Sequence, residues 1–256
     1  LQPMLRSAAG AMYAGQLAQT IAQLATEVLT GTEIGLPLLK TPRVALLSHN
    51  FEAFSTELAL KPADLRLYLT LREAARQRLY AGVAWLSPQI LALLGHYARL
   101  ITIDQSAIHD AMDIGDVDEL TPEKLEEASR QLQGRLFAPT KTPEQVEILG
   151  RLETLLALAE GWVDEVTSRA AQKWLPDQAA LSEAVRRRRA TSAPAQKALH
   201  TLVGLDLSPR RIRDAGNLWA ALTQARGSHE RDQVWAHPDL IPTATDLDDP
   251  MGYVSG

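Results

Sequence analysis

Apolar residues recur along this chain at spacings of three and four, and almost nowhere in strict alternation. In 3–29, Tyr13, Leu17, Ile21, Leu24 and Val28 form one stripe, with Gln16, Gln19, Gln23 and Glu27 off it. That period predicts a helix with one buried face. Gly10, Ala14 and Ala18 lie four apart and let another helix approach, and Gly31 suits a C-cap. Residues 31–42 read as a loop punctuated by Gly35, Pro37 and Pro42. Residues 44–47 are the one stretch that reads as a strand, and it is short. Asn50 is placed to cap a helix over 51–58, and Pro62 opens the next, to about Ala84. Ser87-Pro88 starts another, through Leu100.

The second half repeats the pattern. Residues 104–127 are acidic and less regular, and Thr121-Pro122 restarts a helix to about Gln133. Thr142-Pro143-Glu144-Gln145 is a capping box with proline at the first helical position. It opens the longest helix, to about Trp174, with Leu149, Leu152, Leu156, Ala159, Val163 and Val166 as its stripe. A helix to about Ala190 follows, then a short one over 194–202. Ser208-Pro209 opens a last long helix carrying Ile212, Ala215, Leu218, Trp219 and Leu222. A short helix over 229–235 leads to a tail rich in Pro and Asp. There is no internal repeat and no long linker. The expected architecture is all-α with at most a minor β component, in a single domain over 1–256.

One predicted helix breaks its own pattern. Leu65, Leu69, Arg72, Arg76, Leu79 and Val83 alternate at spacings of four and three, a seam set for burial that two arginines interrupt. Leu67, Leu71, Ala74 and Ala75 make most of the remaining surface apolar, as in a central helix. Arg72-Glu73-Ala74-Ala75-Arg76 has the frame of His-Glu-x-x-His, in which two imidazoles four apart grip one zinc beside a glutamate base. Guanidinium stays protonated and offers a metal no lone pair, so the spacing persists without the ligand chemistry. Arg-Glu-x-x-Arg is also a common surface pattern. The seam argues for burial instead, and buried charges need partners. Glu73 is left as a general base or as an ion-pair partner for a nearby arginine.

Composition narrows the rest. Apolar content of 46% excludes general disorder, and a net charge of -5 argues against broad nucleic-acid binding. The lack of cysteine removes disulfides and thiolate metal sites and fits a cytoplasmic location. With no signal-peptide pattern and no run of about 18 apolar residues, no membrane span is expected. The six histidines are scattered, no two at a metal-binding spacing. Arg186, Arg187, Arg188 and Arg189 either complement a helix C-terminus or, with Arg210, Arg211 and Arg213, meet phosphate or an acidic partner. The five tryptophans read as core anchors. No Gly-rich phosphate loop or Ser-His-Asp order stands out.

Several segments together resemble a known family. They are residues 16–39, ending in Gly-Thr-Glu-Ile-Gly-Leu-Pro-Leu-Leu, and Arg66-Leu-Tyr-Leu-Thr-Leu-Arg-Glu-Ala-Ala. With them go Arg151-Leu-Glu-Thr-Leu-Leu-Ala-Leu-Ala-Glu-Gly-Trp-Val-Asp, Glu183-Ala-Val-Arg-Arg-Arg-Arg-Ala and Trp235-Ala-His-Pro-Asp-Leu-Ile-Pro-Thr. The chain resembles, over nearly its whole length, uncharacterised zincin-like hydrolases often labelled zinc-dependent metalloproteases. A sister branch is associated with deazaflavin-coenzyme biosynthesis.

The resemblance implies a mostly helical, zincin-like fold. In zincins with a glutamate third ligand, a second helix carries Glu-x-x-x-Asp, the Glu on zinc and the Asp supporting a ligand histidine. Glu160 and Asp164 match that spacing here. Arg72 and Arg76 depart from the pattern at both histidine positions, so no metal and no other cofactor is expected. Arg72, Arg76, Glu160 and Asp164 are then former metal-site positions, and Glu73 a remnant of the base. The expected role is noncatalytic, binding or scaffolding an unknown protein or small-molecule partner. The alternative is a hydrolase acting through Glu73 or an unrecognised site. One geometric expectation follows: Arg72 or Arg76 should pair with Glu160 or Asp164.

Overall fold

The computed structural model describes residues 2–33, 35–37, 41–58, 60–100, 141–191 and 209–255. In chain order these form α1 (Gln2–Glu27), α2 (Ser48–Glu57), α3 (Pro62–Gly82), α4 (Leu86–Arg99), α5 (Pro143–Gln172), α6 (Gln178–Thr191) and α7 (Pro209–Gln233). Two 3-10 turns, Val234–Ala236 and Pro238–Leu240, lead to the short helices α8 (Ala244–Asp248) and α9 (Pro250–Ser255). Among the described residues no helix is long and apolar enough to cross a membrane. The connector expected over 104–127 and the helices expected over 121–133 and 194–202 lie outside the described residues.

Helix α5 is the axis of the fold. Its capping box forms: Gln145 N donates to the Thr142 hydroxyl at 3.2 Å, and Thr142 N to Gln145 Oε1 at 2.8 Å. Between Leu155 and Val163 it is buried on every side, because helices α3, α4 and α7 all pack against α5. The contact with α7 is the tightest. A Cβ on Gly161 would lie 2.6 Å from Gly216 N and 2.7 Å from Ala215 Cβ, so only glycine admits this approach. Gly161→Ala is expected to cost about 1–3 kcal/mol, through overpacking. On the same helix a Cβ on Gly150 meets nothing within 4 Å, and Gly150→Ala should stabilise by about 0.5–1 kcal/mol. Urea melts of the two variants check both signs.

The apolar interior divides in two. The larger cluster joins α3, α4, α5 and α7 with the C-terminal turns, through Leu79, Ile90, Leu152, Leu158, Leu218 and Leu247 among others. Four tryptophans, Trp85, Trp162, Trp219 and Trp235, stand in it or against it. The Trp219 and Trp235 rings stack at 5.4 Å, and Trp85 lies 6.1 Å from Trp235. The Trp219 indole donates to the Leu158 carbonyl at 2.8 Å and that of Trp85 to the Trp235 carbonyl at 2.9 Å. The smaller cluster gathers Leu29, Phe51, Leu65, Tyr68, Leu69, Leu175, Leu181 and Val185 around the opposite end of α3.

Four local expectations need correcting. Residues 44–47 are not a strand. Among the described residues there is only an isolated antiparallel bridge, Thr30 with Leu46, and Val44 is exposed. Asn50 does not cap α2, which starts at Ser48. Its amide is buried and donates to the Ala25 and Val28 carbonyls, each at 2.8 Å, tying down the end of α1. The α1 stripe is also less covered than its period implies: Ile21 is 54% exposed, while Leu17, Leu24 and Val28 are half-buried. Likewise Leu67 of α3 faces outward, so that helix is apolar and buried on its Arg72 side rather than all round.

Candidate functional site

Residues four apart share a helix face, so α3 presents Arg72 and Arg76 together and α5 presents Glu160 and Asp164. Because α3 packs against α5, the two faces meet. Arg76 grips Glu160 with two parallel bonds, Nε to Oε1 at 2.6 Å and Nη2 to Oε2 at 3.0 Å. Arg72 Nη2 adds a bond to Glu160 Oε2 at 2.9 Å, and its Nη1 donates to Asp164. This is the planar fork-to-carboxylate geometry expected of such a pairing. Arg72, Arg76 and Glu160 are all buried.

Glu73 lies on the same helix and is 0% exposed. The Thr32 hydroxyl, 2.8 Å from both of its oxygens, donates to it, as do Arg76 Nη1 at 2.9 Å and Gln77 Nε2 at 3.1 Å. Helix α6 supplies a third guanidinium: Arg189 donates to Glu160 and stands 3.9 Å from Asp164. Arg72, Arg76 and Arg189 thus face Glu73, Glu160 and Asp164, so the formal charges balance three against three. Beside them the Tyr80 hydroxyl donates to the Gly35 carbonyl.

The electrostatics follow the pairing. Burial alone would push the Glu160 carboxyl up, but Arg76, Arg189 and Arg72 hold it well below the usual carboxylate range. Burial depresses the Arg72 guanidinium, and Asp164 and Glu160 outweigh that and raise it above its ordinary value. Arg76 is raised in the same way, chiefly by Glu160 against burial. Arg189 goes the other way, lowered by burial and by repulsion from Arg72. Burial, then the nearby Glu160 charge, raises the Tyr80 hydroxyl.

The sequence-derived residues Arg72, Glu73, Arg76, Glu160 and Asp164 therefore come together in one place. Sequence reasoning missed Thr32, Gln77 and Tyr80, and it set Arg189 with its arginine neighbours at a helix C-terminus or against a phosphate or acidic partner, not in this cluster. For Arg189 a signal existed. Leu181, Val185 and Arg188 or Arg189 follow at spacings of three and four, which carries the buried face of α6 into the arginine run.

The donor set does not fit zinc. The two facing positions on α3 offer protonated guanidiniums, which cannot ligate, and these occupy both oxygens of Glu160. Among the described residues no three His, Cys, Asp or Glu side chains gather as a metal site would require.

Comparison with known proteins places the chain in a family. Among solved structures, the chain is similar to a protein from Chloroflexus aurantiacus described as "a putative hydrolase with a novel fold". The TM-score is 0.63 and the identity 19%, covering 92% of this chain and 65% of that one. At that identity the likeness shows a common fold, and the chain spans less than two thirds of that protein's length. No curated protein matches. A family model described as zincin-like metallopeptidase matches residues 1–254. The chain belongs to the zincin-like metallopeptidase family.

Proposed function

We propose that this chain is a zincin-like protein with a degenerate metal motif, which acts by binding or scaffolding rather than by catalysis. Arg72-Glu73-x-x-Arg76 stands for His-Glu-x-x-His, and Glu160 and Asp164 stand where a third ligand and its support would be. The observation that carries this reading is the two-point grip of Arg76 on Glu160, at 2.6 and 3.0 Å. It consumes the one carboxylate that would otherwise reach a metal from α5, and ties α3 to α5 as a bound ion would have done.

The burial of Glu73 weighs against a hydrolase that uses it as base. Thr32, Arg76 and Gln77 already fill its oxygens, leaving no place for a water that it would activate. The partner is a protein or small molecule, and a cytoplasmic setting fits the cysteine-free composition.

Metal analysis of the purified protein, together with a peptidase assay, tests the reading. The expected result is substoichiometric zinc that does not change in Glu160→Gln, and no hydrolysis above background. Stoichiometric zinc lost in Glu160→Gln, or a turnover abolished by Glu73→Gln, would overturn it.

A further inference from the structure

The charged residues lie where the two apolar clusters meet. On α3 they fall between Leu65, Tyr68 and Leu69 of the smaller cluster and Leu79 of the larger. On α5 they fall between Leu156 of the larger and Ala171 of the smaller. The pairs climb in step. Arg76 meets Glu160, and Arg72, four residues earlier on α3, meets Asp164, four residues later on α5, so the two helices run antiparallel. The same count sets Leu79 level with Ala157 in the larger cluster, and Leu65 level with Ala171 in the smaller. The Arg72 bond to Glu160 crosses between these two rungs.

Apolar faces alone discriminate poorly between alignments, because apolar attraction has no direction. Slide α3 by four residues so that Leu69 comes level with Ala171 and Leu65 with Leu175, and apolar still meets apolar. The charges resist it. In that alignment Arg76 comes level with Asp164, but Arg72 stands level with Ser168 and Glu160 with Tyr80. An equal slide the other way sets Arg72 level with Glu160, Arg76 with Leu156 and Asp164 with Tyr68. In either slide only one of the two carboxylates stays level with a guanidinium. The setting is buried, where an incompletely paired charge is heavily penalised. Glu73 rides on α3 with Arg76 and so favours no alignment. Arg189 comes from α6 and meets only the α5 side, at Glu160 and Asp164.

We propose that the ion cluster is a register lock: its two rungs, Arg76 with Glu160 and Arg72 with Asp164, select one alignment of α3 on α5 from several that the apolar residues would accept. It thereby fixes where the smaller apolar cluster sits against the larger, because both clusters draw on α3 and α5. A buried polar contact can specify register at some cost in cohesion, and a wholly apolar seam does the reverse. The lock rests on the metal-free reading of the cluster. Zinc content measured on the same samples separates a failure of that reading from a failure of the lock.

The chain contains no cysteine, so an introduced pair carries spin labels without background. Leu67 on α3 and Glu147 on α5 are exposed and far apart along the two axes. Labels at Leu67→Cys and Glu147→Cys, read by double electron-electron resonance on the full chain, therefore report a slide. With the cluster intact they should give one distance. A first variant neutralises the cluster, by Arg72→Met, Arg76→Met, Arg189→Met, Glu73→Gln, Glu160→Leu and Asp164→Leu together. A second, Glu160→Leu with Ser168→Glu, keeps the number of charges but moves the α5 carboxylates one turn along. Ser168 is half-buried and accepts from Gln178, a bond that a carboxylate can also accept. Both variants should keep their helix content by circular dichroism and show a second distance, displaced by about 5 Å, the rise of one turn. In the second variant the added distance should be the longer one, since Arg72 would then stand level with position 168. That variant keeps the test decisive even where the first does not fold. A single native distance in the second variant, or in the first when folded, would overturn the proposal.

Discussion

Glu160→Ala is expected to lower stability by about 3–5 kcal/mol, the cost of stranding buried charge. The corresponding fall in Tm is on the order of 10 °C for a chain of this size. The substitution removes the shared acceptor of Arg72, Arg76 and Arg189 at once, and only Asp164 remains near Arg72 and Arg189. Glu147→Ala is the control. Glu147 lies on the same helix but is exposed, and its loss should change stability by about 0.5 kcal/mol or less. Replacing both sides, as Arg76→Leu with Glu160→Leu, should cost less than the two single changes added together, because neither charge is then left alone. Thermal melts of Glu160→Ala, Glu147→Ala, the two single leucine variants and their double decide the matter. Equal shifts for Glu160→Ala and Glu147→Ala would mean that the cluster contributes nothing beyond ordinary surface charge.

Stability should also fall steeply in acid, and again in strong alkali, for reasons that belong to two neighbouring groups. An unfolded glutamate titrates near about 4.3, whereas Glu160 in the fold titrates well below its ordinary value. Above the unfolded value its contribution is fully present. As pH drops below it, the unfolded chain takes up a proton that the folded protein refuses, and stability is lost until the folded pKa is reached. Tyr80 works in the opposite sense. Its hydroxyl stays protonated in the fold above the unfolded value of about 10, so its contribution is present below that pH and is lost as pH rises beyond it. Urea midpoints measured across pH should therefore show an acid limb that Glu160→Gln flattens and an alkaline limb that Tyr80→Phe flattens. Unchanged slopes in both variants would show that other groups govern the profile.

The cluster was legible in sequence to an unusual degree, and the reason is periodicity. Positions 72 and 76, like 160 and 164, are four apart on helices whose apolar stripes fix which face turns inward. The Thr142 capping box likewise fixed where α5 begins, so Glu160 and Asp164 could be placed on one face. What escaped was decided by contacts distant in sequence. Asn50 has the look of a helix cap, but two carbonyls at the end of α1 outcompete that role. Residues 44–47 have the β-branched and apolar character of a strand, yet only Leu46 finds a bridge partner. Thr32 sits in a loop, where no period announces that a hydroxyl will be buried against Glu73. Arg188 and Arg189 look like solvated charge because a run of four arginines hides the spacing that turns two of them inward.

The placement of the tryptophans has an optical consequence. Trp85, Trp162, Trp219 and Trp235 all stand in or against the larger apolar cluster, where shielded indoles emit toward the blue. The smaller cluster contains none, and Trp174 beside it is 68% exposed, already emitting as it would in water. Intrinsic fluorescence therefore watches one half of the interior. Should the smaller cluster loosen first, the emission spectrum would stay native while circular dichroism at the helix bands began to fall. A mismatch between the two signals would date the order in which the halves come apart, with no label added to the protein.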